Sequence, residues 1–131
     1  MKKRNRKLLI NSTCIDSEDH ELIMGLDMFI LQPGDNLRTP HGPQVKFFKD
    51  NLEFSITVNL NEKFIRVISG DYKNILNESE INILLSNIKK YKIALLNMWY
   101  DKYMSSSEFK KMITDINLGK ETKLVRKHYK F

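Results

Sequence analysis

Leu52-Glu53-Phe54-Ser55-Ile56-Thr57-Val58-Asn59-Leu60 sets an apolar side chain at every even position and a polar one at every odd position. Successive side chains of a strand point to opposite faces, so the stretch reads as a half-buried β-strand with Leu52, Phe54, Ile56, Val58 and Leu60 on one side. On that reading Ile56→Asp unfolds the protein, because it buries an unpaired charge, while Thr57→Asp on the polar side is tolerated. Strand neighbours lie on both sides in the sequence. Val45-Lys46-Phe47-Phe48-Lys49 is short, aromatic and β-branched. Asp50-Asn51 behind it supplies a turn, since Asx residues tolerate left-handed backbone. Lys63-Phe64-Ile65-Arg66-Val67-Ile68 follows and stops at Gly70-Asp71, which completes an antiparallel meander of three strands. Residues 22–31 and 8–15 are candidates for a fourth and a fifth strand.

A sheet with one apolar face needs a covering layer, and the next segment supplies it. Asn77 followed by Glu78, Ser79 and Glu80 makes an N-cap with acids in the first turn, where they complement the helix dipole. Ile81, Leu84, Leu85, Ile88, Tyr91, Leu95, Met98 and Trp99 then recur at three- and four-residue spacing, which predicts one long helix over 78–104. Ser105-Ser106-Ser107-Glu108 marks a break and a second cap before a short helix over 109–116, which ends at Leu118-Gly119. The expected fold is α+β, an antiparallel meander of three to five strands packed against one long C-terminal helix plus a short helix. Residues 1–7 form a basic N-terminal arm, 8–118 a single domain and 119–131 a basic C-terminal tail.

The chain of 131 residues is long enough for one core and too short for two. It has no apolar run near the roughly 20 residues that a membrane-spanning helix needs. Its single cysteine, Cys14, excludes an internal disulfide. The apolar stretch behind the basic opening is only Leu8-Leu9-Ile10, too short for a signal peptide, so a cytoplasmic protein is expected.

Charge is unevenly placed. Residues 1–7 hold five cations and no acid, and residues 110–131 hold seven cations against Asp115 and Glu121, which makes +10 on the two ends. The total is +6, so residues 8–109 carry −4. Basic ends on a mildly acidic body suit a polyanion partner; simple solvation of terminal lysines is the plainer account. Lys46-Phe47-Phe48-Lys49 and Trp99-Tyr100-Asp101-Lys102-Tyr103 set aromatic rings beside cations, as stacking surfaces for bases would require. Alternation sends Phe47 and Phe48 to opposite faces, so at most one of them belongs to the core. The candidate nucleic-acid contacts are Lys2, Lys3, Arg4, Arg6, Lys7, Lys46, Lys123, Arg126, Lys127 and Lys130. The connection 32–44 holds all three prolines and His41, and it reads as a binding loop with Arg38, His41 and Gln44 as its contacts.

His41-Gly42-Pro43-Gln44-Val45-Lys46-Phe47-Phe48, a hairpin, and a helix running from Leu76-Asn77-Glu78 to Ala94-Leu95-Leu96-Asn97-Met98-Trp99 resemble the small prokaryotic proteins of domain-of-unknown-function family 4160 over residues 40–104. The resemblance implies a small α+β domain from a mobile-element or defence setting, such as a toxin–antitoxin pair with a cognate protein partner. Gln44 and Lys46 stand where that family has two histidines, and neither side chain replaces an imidazole as a proton shuttle near neutral pH. Asn77 and Met98 stand in place of a proline and an asparagine of the family pattern.

Other chemistry finds little support. Three scattered histidines lack metal-ligand spacing, and neither Gly34 nor Gly42 opens a phosphate loop. No Gly-x-Ser-x-Gly elbow is present, and Cys14 lacks a context that activates a thiol. No metal or cofactor is expected. The leading expectation is a non-catalytic module that binds RNA, DNA or a nucleoprotein complex through its basic ends. The alternatives are a protein inhibitor or toxin–antitoxin component, and a small ribonuclease in which His41 and Lys46 work with a carboxylate.

Overall fold

A computed structural model describes residues 11–15, 25–32, 42–101 and 103–124. Five strands, β1 (Asn11–Ile15), β2 (Asp27–Gln32), β3 (Gln44–Lys49), β4 (Leu52–Thr57) and β5 (Val67–Gly70), form one sheet in sequence order. Every neighbouring pair is antiparallel, so both outlying candidate strands join the meander. The β3–β4 hairpin closes through Asp50 and Asn51 alone, at φ of 50° and 74°. Two consecutive left-handed residues give the turn whose twist matches that of the flanking strands, which is why an Asx pair stands there. Gly70 faces Phe54 across β4 and β5 at φ 108°, and a Cβ on it would lie 2.3 Å from the Cα of Phe54. Only glycine fits that approach.

Phe54 and Ile56 of β4 and Val58 just after it are buried as the alternation requires, but Ser55 on the opposite face is buried too, and Leu60 is 46% exposed. The strand ends early for a local reason. The Thr57 hydroxyl donates to the carbonyl of Phe64 and accepts the Arg66 amide at 3.1 Å, so the chain after Val58 turns into a loop. A short 3₁₀ turn capped by Asn61 occupies Glu62–Phe64, and the fifth strand therefore begins at Val67 rather than at Lys63. Thr57 is thus a fastening point, and the expectation that it tolerates aspartate does not survive.

Three helices cover one side of the sheet: α1 (Glu78–Lys90), α2 (Lys92–Tyr100) and α3 (Ser106–Asn117). Asn77 and Glu80 form a reciprocal capping box on α1, and Ser105 and Glu108 form another on α3. The segment expected as one helix is interrupted at Tyr91 (φ −105°, ψ 19°). Up to that point the apolar residues form a stripe; beyond it Ala94, Leu95, Leu96, Asn97, Met98 and Trp99 are all buried, because α2 touches the sheet at β2 and α3 elsewhere. The Tyr91 hydroxyl donates to Asn117 Oδ1 at the end of α3, which ties the interruption to that contact.

The core joins Met28, Ile30, Val45, Phe47, Phe54 and Ile56 of the sheet to Leu84, Ile88, Leu95, Met98, Phe109 and Ile113 of the helices. Phe47 and Phe54 stack there with centroids 5.3 Å apart. No helix among the described residues is long and apolar enough to cross a membrane.

Candidate nucleic-acid interface

Helices lie against one sheet face, and the strand register defines the other. Phe29, Lys46, Ser55 and Ser69 face one another in a row across β2 to β5, and Asp27, Phe48 and Glu53 form the next row. Their sequence neighbours Met28, Phe47, Phe54 and Ile56 are core residues, so alternation puts these rows on the outer face. Phe29 and Phe48 are half-buried, lie outside the core cluster, and meet edge to face with centroids 6.3 Å apart. Lys46 sits directly opposite Phe29, one row from Phe48 on its own strand. Gln44 is the first residue of β3 and shares this face with Lys46 and Phe48, so it is a strand residue and not a loop one.

The electrostatics of the face are graded. Asp27 and Glu53 flank Phe48 on both sides, whereas the row of Phe29 carries Lys46 and two serines. The Phe48 row is therefore the negative part of the face and the Lys46 row the positive part. No acid stands opposite Lys46, whose register partners are Phe29 and Ser55.

Lys2, Lys3, Arg4, Arg6, Lys7, Arg38, His41, Arg126, Lys127 and Lys130 lie outside the described residues. Lys123 is exposed, and its backbone carbonyl accepts a 3.0 Å hydrogen bond from Asn97 Nδ2, a fully buried amide on α2. With Leu124 packed against the core, the first residues of the basic tail are held on the domain. Trp99 is buried at 5% exposure and offers no stacking surface, whereas Tyr103 is 80% exposed. Among the described residues no group of three or more His, Cys, Asp or Glu side chains is placed to hold a metal ion.

The chain matches no family model, no curated protein and no solved structure. The functional reading therefore rests on the surfaces themselves. Phe29 is the residue that sequence reading missed. It stands in the continuous apolar run Met28-Phe29-Ile30-Leu31, where period two gives no contrast between faces. Its register with Lys46 is what separates it from the core.

Proposed function

We propose that this protein binds single-stranded nucleic acid, with bases resting on the outer sheet face and phosphates engaged by the basic ends. The observation that supports the reading is the Phe29–Phe48 pair, two phenylalanines beside Lys46 on a sheet face that no described helix covers. Partly exposed aromatic rings on a sheet face suit splayed bases, and each such contact contributes about 1–3 kcal/mol; Ser55, beyond Lys46 in the row of Phe29, is buried. The described part of the face has Lys46, and Arg66 opposite Thr57, against two carboxylates, so it carries no excess positive charge and long-range attraction falls to the cations of residues 1–7 and 110–131. Base stacking and salt dependence then reside in different parts of the chain. The prokaryotic mobile-element or defence setting implied by the resemblance over 40–104 is part of the same proposal, as is a nucleoprotein complex as the natural target.

Fluorescent single-stranded RNA and DNA, titrated at several salt concentrations, test this. Phe29→Ala with Phe48→Ala is expected to weaken binding at least about tenfold with an unchanged salt slope, because stacking releases no counterions. Replacing Arg126, Lys127 and Lys130 by serine is expected to lower affinity and flatten the slope while leaving the melting temperature nearly unmoved. No binding at low salt, or preference for duplex over single strands, refutes the proposal.

A further inference from the structure

The loop that ends β4 builds a second surface, distinct from the outer sheet face. Pro43, Val58, Asn59, Leu60, Leu96 and Tyr100 enclose a cleft of about 150 Å³ in which only Asn59 has a polar side chain apart from the tyrosine hydroxyl. The cleft is open to solvent and more apolar than polar, with room for one large side chain. Its walls are fixed in advance. The Val58 amide donates to the carbonyl of Pro43 at 2.9 Å, Asn59 Oδ1 accepts the Asn61 amide at 2.8 Å, and Glu62 holds Lys92 at 2.7 Å. Leu60 is nevertheless 46% exposed and Phe64, on the same loop, 50% exposed. Leu60 lines the cleft while keeping this exposure, so the cleft's apolar wall is reachable from solvent.

Charge around the cleft gives it a direction. Lys92, Leu96 and Tyr100 are four residues apart and share one face of α2. Lys89 is close enough to lower the Glu62 carboxyl that Lys92 binds, and Lys63 follows Glu62 on the loop, whereas Asp101 follows Tyr100 at the other end. Glu62 is the one acid among these four groups at the Lys92 end, which is therefore cationic.

We propose that this cleft docks a short segment of a partner protein, one that presents a single large apolar side chain to the Leu60–Tyr100 floor and carboxylates toward Lys63, Lys89 and Lys92. The apolar lining favours a side-chain anchor over a sugar–phosphate chain, and the anchor supplies most of the affinity. Carboxylates at the cationic end fix the direction in which the segment lies.

Selection from a displayed library of short random peptides, followed by titration of the enriched peptide with the whole protein, tests the proposal. Enriched peptides are expected to carry one aromatic or large aliphatic residue beside acids. Alanine at that apolar position, or Leu60→Glu in the protein, is expected to weaken binding at least about tenfold. Lys63→Glu with Lys89→Glu is expected to weaken it several-fold, and peptides with lysine in place of the acids should not bind. Both Leu60 and Lys63 are exposed, and a thermal melt confirms that each variant is folded. Failure to enrich any peptide, enrichment indifferent to Leu60→Glu, or displacement of the peptide by random-sequence RNA as readily as by unlabelled peptide overturns the proposal. The last outcome would mark the cationic end as a general polyanion surface. Binding of RNA to the Phe29 and Phe48 face is measured separately, so either reading can fail without the other.

Discussion

The two faces of the sheet come from the same strands and differ by one residue in register. Toward the helices, Met28, Ile30, Val45, Phe47, Phe54 and Ile56 are each at most 1% exposed. On the far side, Phe29, Lys46 and Phe48 stay half-buried beside the exposed Asp27 and Glu53. An aromatic ring on the inner face therefore belongs to the core, while a ring of the same size one position away stays partly exposed. Phe47 and Phe48 are the clearest instance, two adjacent phenylalanines on opposite faces.

The largest effect that separates the faces comes from charging the inner one. Ile56→Asp is expected to leave no folded protein by circular dichroism. A buried unpaired carboxylate costs several kcal/mol, a large share of the total stability of a domain. Phe48→Ser on the outer face is expected to cost only about 1 kcal/mol, in keeping with its partial burial. Equal melting temperatures for the two variants would break the distinction.

Gly70→Ala tests the backbone between the faces. The added methyl group meets the Phe54 backbone and the residue keeps a left-handed φ, so a loss of about 2 kcal/mol or more is expected in urea unfolding. Since Phe54 is a core residue, the inner face should feel the shift, with the Phe47–Phe54 stack losing its protection from hydrogen exchange first.

The smallest effect concerns pH. The Glu62 carboxyl is held below its ordinary value by its hydrogen bond to Lys92, then by the charges of Lys92 and Lys89. A depressed folded-state value means that its contribution is complete above the ordinary carboxylate range and disappears as pH falls through the lowered value. Titration followed by NMR should place Glu62 below an unstructured glutamate, and Lys92→Met should return it toward the ordinary value. An unchanged titration in Lys92→Met would show that the pair does not persist in solution.

Much of the architecture is legible in the sequence where local chemistry decides it. The alternation of β4, the Asx turn at Asp50-Asn51 and the caps at Asn77 and Ser105 depend on neighbours within a few residues. Features decided by distant contacts are not legible. Neither proline nor glycine stands at Tyr91, and the interruption there accompanies a hydrogen bond to Asn117, 26 residues away. Leu60 continues the apolar period of β4, yet Thr57 has already committed the chain to the loop through Phe64 and Arg66. The candidate interface was half visible. Lys46 and Phe48 could be set on one face by alternation, but Phe29 needed the pairing of β2 with β3, and nothing in the spacing announced that Leu60 and Leu96 would meet around a cleft.

The strand order bears on how the chain reaches this fold. Two residues join β3 to β4, whereas nine to eleven join every other neighbouring pair. Closing a longer loop costs more entropy before any contact compensates it, so the β3–β4 hairpin is the natural nucleus, forming within about 1–10 μs. The other strands then add outward on either edge, each beside its neighbour in sequence, a low-contact-order route that suits rapid folding. Lys46 and Phe48 lie on that hairpin and Phe29 on the strand added beside it, so the face proposed to meet nucleic acid is completed only when β2 joins.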